Sequence, residues 1–309
     1  MMSSANDATH RCKPTNDNLA DYRTHVLSRI EGTKISEKPF YHSFIENVFP
    51  DDLYDAIRNN MLSFKYSDKV QDRHQDSYAF MNHRYNLHDN TDETIECVRA
   101  VFSDITIKQA LLKKFYCHPS EEFVEALDIH SEFEYIFVAA NHVQNIHIDI
   151  PPKVMSFVFY IPEHTVTPFD EERNATVLYD KSLTPNYKAR FKANSMCVFV
   201  PHFYSYHGFA STIQRDALVM FYIHPAEFKK WRSIRKDARD KPPFTGLLDM
   251  IQEQLTRYPL IEYGHDANRF LEERSDCLVN APQGRVMTDD QGMILPPEQA
   301  TALREQKPK

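Results

Sequence analysis

The chain has 309 residues with 36 Lys plus Arg against 44 Asp plus Glu, and its formal net charge of −8 at pH 7 argues against a protein that coats nucleic acid. A hydrophobic share of 42% suffices for a substantial core, and the length suits one large domain with appended segments. Only 6 glycines are present and no Gly-x-Gly occurs, so P-loops and dinucleotide-binding fingerprints lack their material.

Residues 1–36 lack periodicity and read as a mobile leader, with one docked helical turn between Asn18 and Ile30. From Lys38 the pattern changes. Phe40 to Ile45 reads as a strand, and Pro50-Asp51-Asp52 opens a helix carrying Leu53, Ile57 and Met61 on one face. A second helix is predicted from about Thr91 to Tyr116, its face formed by Ile95, Val98, Phe102 and Ile105, then Ala110, Leu111 and Phe115. Short runs rich in β-branched and aromatic residues follow near 133–140, 143–149, 153–161, 175–179, 195–200 and 216–223. Strand after strand with polar breaks predicts an antiparallel sandwich or barrel in a domain spanning 37–225, not βαβ units. The acidic stretch Glu163 to Asn174 reads as a solvated loop that also suits the mouth of a site. From 226 to 309 the chain reads as a helical and irregular extension, with helices at 227–240 and 245–258. Its basic run from Lys229 to Lys236 fits a solvated helix face better than a nucleic-acid or membrane surface, given the acidic whole.

Cys12, Cys97, Cys117, Cys197 and Cys277 are odd in number and never form Cys-x-x-Cys, as expected of reduced thiols in a cytoplasmic protein. The first thirty residues hold no apolar secretory core and no run of 18 apolar residues follows, so neither secretion nor membrane insertion is indicated. Asn174-Ala175-Thr176 spells a glycosylation sequon, which without a secretory signal reads as coincidence.

Fifteen histidines must be separated by context. His147-Ile148-Asp149 sets an imidazole and a carboxylate on one face of an extended run, so that both can meet one ion. His74-Gln75-Asp76 repeats the spacing, but no apolar strand positions it. His207 closes a long run that starts at Ser195, and Gly208 beside it leaves room next to a metal. Eight residues on, Arg215 opens the apolar strand ending at Ile223, aiming a cation into a greasy sheet where burial is costly without an anion. Singly, His207 also reads as a hydrogen-bonded core residue and Arg215 as a surface cation at a strand start. In this order and on these strands, the four residues together are more specific.

The pattern His147-x-Asp149, His207 and Arg215 resembles the signature of the iron(II)- and 2-oxoglutarate-dependent oxygenases, in particular the prolyl-hydroxylase-like branch. The resemblance runs from about Pro39 to Ile223, about 185 of 309 residues. It takes in Phe44 to Pro50, Pro151 to Pro162, Ala175 to Leu178 and Asn194 to Phe199. It implies a mainly β double-stranded β-helix (jelly-roll, cupin-like) core with flanking helices. It also implies that His147, Asp149 and His207 hold Fe(II) as a facial triad while Arg215 pairs with the far carboxylate of 2-oxoglutarate. Dioxygen would be the co-substrate and ascorbate the reductant in vitro. The implied reaction hydroxylates an unactivated C–H with release of succinate and CO2, and the carboxylate at Asp149 argues against halogenation.

Two departures stand out. Many relatives carry Gly where this chain has Ala175, and some carry Ser or Thr two residues after the arginine, where this chain has Ala217. Another hydroxyl must then serve the far carboxylate, and Tyr160 and Tyr135 on neighbouring predicted strands are the candidates. Arg84, in the polar aromatic stretch Ser77 to Tyr85, is the candidate contact for an anionic substrate group. His142, His202 and His224 are not needed as ligands, the triad being complete without them. The expected substrate is a small molecule: an amino acid, a saccharide or a natural-product intermediate. The segment 226–309 is unexplained by the resemblance, and covering the site or mediating a homodimer are the roles open to it. The competing readings are a non-catalytic jelly-roll sensor or structural protein that binds metal or anion, and a zinc hydrolase on a cupin-like barrel.

Overall fold

The computed structural model describes residues 18–67, 83–115, 129–147, 149, 153–180, 182–201 and 205–223. The extension 226–309 with its two expected helices and basic run, and His74, His202 and His224, lie outside the described residues. So do Cys12, Cys117 and Cys277.

Five helices and ten strands are described. In chain order these are α1 (Leu19–Gly32), β1 (His42–Glu46), α2 (Asp51–Lys65), β2 (His83–Asn86), α3 (Glu93–Ser103), α4 (Ile105–Phe115), β3 (His130–Val138), β4 (His142–His147), β5 (Lys153–Tyr160), α5 (Pro168–Arg173), β6 (Thr176–Tyr179), β7 (Pro185–Ala189), β8 (Ser195–Phe199), β9 (His207–Ser211) and β10 (Arg215–Ile223). A six-stranded sheet runs β1-β8-β5-β10-β3-β2 and a four-stranded sheet runs β4-β9-β6-β7. Every pairing is antiparallel. From β3 onward the chain alternates between the two sheets, except that β6 and β7 form a hairpin in the smaller one. That winding is a double-stranded β-helix, and β1 and β2 widen its larger sheet at either edge.

β10 runs through the middle of the larger sheet and is buried from end to end. Its period-two alternation therefore serves two cores at once. Leu218, Met220 and Tyr222 face the helices, with Phe133, Tyr135 and Phe137 of β3 and Phe157 and Phe159 of β5. Ala217, Val219, Phe221 and Ile223 face the barrel interior with Ile136 and Val138. A second interior cluster joins Phe40, Tyr160, Leu178, Ala189, Phe191, Cys197 and Phe199.

The docked helical turn expected between Asn18 and Ile30 is longer than one turn: the 14-residue helix α1 inserts Tyr22, Val26 and Ile30 into the core, while residues 1–17 of the expected leader lie outside the described residues. Each such side chain contributes about 1.5–3 kcal/mol of burial, enough to fix a segment whose polar composition hides a three-and-four-residue apolar spacing. The single helix expected over 91–116 is two. Asp104 takes an extended conformation between α3 and α4, and its carboxylate accepts from the Thr106 N–H to start the second. The expected loop from Glu163 to Asn174 contains α5, capped by Thr167, whose hydroxyl accepts from the Asp170 N–H. Asn174 of the sequon is buried, its side-chain oxygen Oδ1 accepting from the Thr212 and Ile213 N–H groups and its Nδ2 donating to the Asp170 carbonyl, so as folded it presents no acceptor for a glycan.

Candidate metal and anion site

β4 and β9 are paired so that His147 lies directly opposite His207, after a register shift between Gln144 and His147. The two rings stand 4.3 Å apart, and Asp149 completes a cluster whose ligand atoms all lie within 4.8 Å of one another. The register shift matters here, because a one-residue slip would send His147 to the other face. Gly208 is what permits it: a Cβ there would sit 2.8 Å from the Gln144 carbonyl oxygen and 3.3 Å from the Ile146 Cα. The expectation that Gly208 makes room for a metal is therefore corrected; the room it makes is for the backbone of β4.

His207 is buried and its Nδ1 lies 2.9 Å from the Ser205 carbonyl oxygen. A proton on Nδ1 directed at that carbonyl leaves the Nε2 lone pair to act as a ligand. Burial holds the ring's pKa below its ordinary value, against the pull of Asp149, so the neutral form that a metal requires is favoured. Asp149 accepts from Lys153 Nζ on Oδ1 and from Ser156 Oγ on Oδ2, both at 2.6 Å. Burial pushes this carboxyl up, but the Lys153 ammonium and the two imidazoles outweigh it and hold the group well below the usual carboxylate range. Two neutral imidazoles and one ionised carboxylate on one face of a barrel wall suit a divalent transition metal with positions left open.

Arg215 sits at the start of β10 with its guanidinium inside the barrel, 2% exposed. Its Nη2 donates to Thr176 Oγ1 at 2.6 Å and its Nε to the Asn174 carbonyl at 3.1 Å. The group lies 3.9 Å from the Phe209 ring centre, with Tyr160 and Phe191 around it. Among the described residues no carboxylate makes an ion pair with it. Burial lowers its pKa, yet a guanidinium does not lose its proton in a protein, so the charge remains and calls for an anion.

Of the two tyrosines expected beside that anion, the structure places one. Tyr160 points inward and donates to Thr176 Oγ1 at 2.7 Å, so Thr176 bridges it to Arg215. Tyr135 belongs to the opposite face. It packs with the helices, and its hydroxyl donates to Asn60 Oδ1 on α2 at 2.5 Å, so it is withdrawn from the anion site. The cause is parity: Tyr135 is opposite Leu218, an outward residue of β10, whereas Arg215 and Ala217 point inward. Thr176 is the residue the sequence reading missed. Ala217, which has no hydroxyl to offer, was the signal that one had to come from elsewhere.

Arg84 lies on β2 opposite Ile136, on the interior face, and pairs with Glu134 at 3.1 Å at the exposed rim. His142 is half-buried on β4, packed toward Phe209, and stands apart from the metal cluster.

No protein-family model matches this chain, and no curated protein matches it. Among solved structures it is similar to a prolyl-4-hydroxylase of Pseudomonas putida, with 13% identity, 67% of this chain and 99% of that chain covered, and a TM-score of 0.43. It is also similar to a prolyl hydroxylase of Trichoplax adhaerens in complex with a hypoxia inducible factor oxygen degradation domain peptide fragment, with 11% identity, 70% and 96% covered, and a TM-score of 0.43. A third is the viral collagen prolyl hydroxylase of Paramecium bursaria Chlorella virus-1 in its 2-oxoglutarate complex, with 11% identity, 59% and 94% covered, and a TM-score of 0.40.

Proposed function

We propose that this protein is an Fe(II)- and 2-oxoglutarate-dependent dioxygenase that hydroxylates a C–H bond of a small molecule. One observation carries the reading: a buried arginine without an acidic partner among the described residues shares a barrel interior with a His-Asp-His cluster. His147, Asp149 and His207 would hold the iron. Arg215, Thr176 and Tyr160 would receive the far carboxylate of the co-substrate, a bidentate cation flanked by two hydroxyls.

The inner face of β5 connects the two halves. Ser156 reaches Asp149, Val158 lines the interior, and Tyr160 reaches the Arg215 group. The four residue steps from Ser156 to Tyr160 span about 13 Å, room for a short dicarboxylate between metal and guanidinium. Iron(II) bound there would supply dioxygen activation coupled to oxidative decarboxylation of 2-oxoglutarate to succinate and CO2, converting substrate C–H to alcohol. The chain's own groups do the rest. Ser205 fixes the tautomer of His207, Ser156 holds Asp149, and Phe199, 4.8 Å from the His207 ring, shields the cluster on one side.

A zinc hydrolase needs no buried arginine in the same cavity, and a non-catalytic sensor gives no reason to keep an open-sided ligand set. The test is succinate formation from 2-oxoglutarate with Fe(II), ascorbate and air, without a prime substrate, in the native chain and in Asp149→Ala and Arg215→Ala. Succinate from the native chain alone is the expected result. Failure of the native chain to bind Fe(II) and 2-oxoglutarate anaerobically would sink the reading.

A further inference from the structure

The group this reading leaves over is Lys153. It is 9% exposed, on the inner face at the start of β5, with its ammonium 2.6 Å from Asp149 Oδ1 and 3.4 Å from the centre of the Phe221 ring. A buried ammonium needs an anion, and its present one is the carboxylate assigned to the metal. Ser156 holds the other oxygen of Asp149 at the same distance.

Charge arithmetic gives Lys153 a further role. Among the described residues the side chains whose charges bear most on Lys153 are Asp149, Arg84 and Glu134, and with Lys153 they make a set of four charged groups. They sum to zero while the site holds only protein. A divalent metal and one chelating carboxylate add a single positive charge, and the far carboxylate of the co-substrate is already matched by Arg215. The loaded site thus carries one uncompensated cation at the metal. Arg84 is a poor receiver for an incoming anion, since Glu134 already pairs with it at the rim. Once the metal holds Asp149, no other carboxylate among the described residues pairs with the Lys153 ammonium, and the Phe221 face keeps it in place.

We propose that Lys153 anchors the anionic group of the prime substrate, so that the substrate is a carboxylic acid whose carboxylate takes the place of Asp149 on the ammonium. The inference rests on the oxygenase reading above. It makes binding ordered: metal and co-substrate create the anion site, and the protein without them offers none.

The experiment uses the full chain under anaerobic conditions with Zn(II), a redox-inert stand-in, and 2-oxoglutarate, and follows binding by calorimetry. The probes are propionate against propionamide and benzoate against benzamide, pairs alike in shape and different in charge. In the loaded native protein at least one acid binds about tenfold or more tightly than its amide. That preference is absent without Zn(II) and 2-oxoglutarate. Lys153→Met, which keeps the apolar stem, abolishes it at saturating Zn(II) and 2-oxoglutarate. Equal behaviour of acids and amides in the loaded native protein overturns the assignment, as does a preference that persists in Lys153→Met. Should Lys153→Met fail to fold, Lys153→Arg, which keeps the charge, must retain the preference or the assignment falls. Failure of the native chain to bind Zn(II) or 2-oxoglutarate would instead remove the oxygenase reading, and this inference with it.

Discussion

Arg215 Nη2 and Thr176 Oγ1 stand 2.6 Å apart, although 39 residues separate them in the chain. The hydroxyl that accepts from the guanidinium also accepts from Tyr160 at 2.7 Å, so a single small side chain organises two donors around one buried point. Ala217, two residues on from the arginine in its own strand, offers no hydroxyl, and β6 supplies one.

Replacing that hydroxyl should therefore act on the co-substrate and not on the metal. Thr176→Val is expected to weaken 2-oxoglutarate binding roughly tenfold, from the loss of a hydrogen bond of about 1.5 kcal/mol to a charged group, with Zn(II) affinity unchanged. Tyr160→Phe should move in the same direction. Tyr135→Phe should leave 2-oxoglutarate binding alone and cost about 1 kcal/mol of stability through Asn60. Anaerobic titration calorimetry on the three variants separates these outcomes.

His147→Ala, Asp149→Ala and His207→Ala should each abolish stoichiometric Zn(II) binding in equilibrium dialysis. Ser205 acts on His207 through a backbone carbonyl, which side-chain substitution leaves in place. Ser156→Ala removes one of the two donors holding Asp149 and should weaken metal affinity by about 10–100-fold, as loss of a ligand's orienting partner typically does.

Gly208→Ala forces a Cβ to within 2.8 Å of the Gln144 carbonyl oxygen, which is backbone and cannot swing aside. The variant should be destabilised by about 1–3 kcal/mol and should also lose metal affinity, since the same register sets His147 opposite His207. A thermal midpoint equal to that of the native chain would contradict this account of the strand pair.

Acid sensitivity should trace in part to His42. It is fully buried against Tyr187, with Nδ1 on the Phe40 carbonyl and Nε2 without a hydrogen-bond partner among the described residues. Burial holds its pKa below 6.5 in the folded chain. The unfolded chain then takes up the proton first, so stability rises with pH through this range and is lost as pH falls below 6.5 toward the folded value. The loss can reach about 1.4 kcal/mol per pH unit. His42→Phe should flatten the stability profile between about pH 6.5 and 5 in urea melts, whatever it does to stability at pH 8.

Much of this architecture was legible in the linear chain. Runs of β-branched and aromatic residues gave seven of the ten strands within a few residues, and a carboxylate two residues from an imidazole on an extended run marked two residues for one face. The sequence also held a cation at the start of an apolar strand. Local pattern suffices there because strand parity and burial are local properties. It missed β2, β7 and β9, whose runs are short or polar: Pro185 to Ala189 carries one buried residue. It also read α1 as a leader, because a helix with few apolar positions becomes stable only against a surface the sequence does not display.

What only the tertiary structure decided is which side chains meet. Tyr135 and Tyr160 are both buried aromatics on neighbouring regions of one sheet, but the pleat sends Tyr135 to the helices and Tyr160 to Arg215. Gly208 serves a strand register and no ligand, because Gln144 and Ile146 lie against it. Thr176 meets Arg215 because the winding of the chain brings β6 beside the first residue of β10, and Lys153 lies between the Phe221 ring and the Asp149 carboxylate. Residue types and their spacing fix the chemistry available to a chain, whereas the pairing of distant strands fixes which of those groups share a cavity.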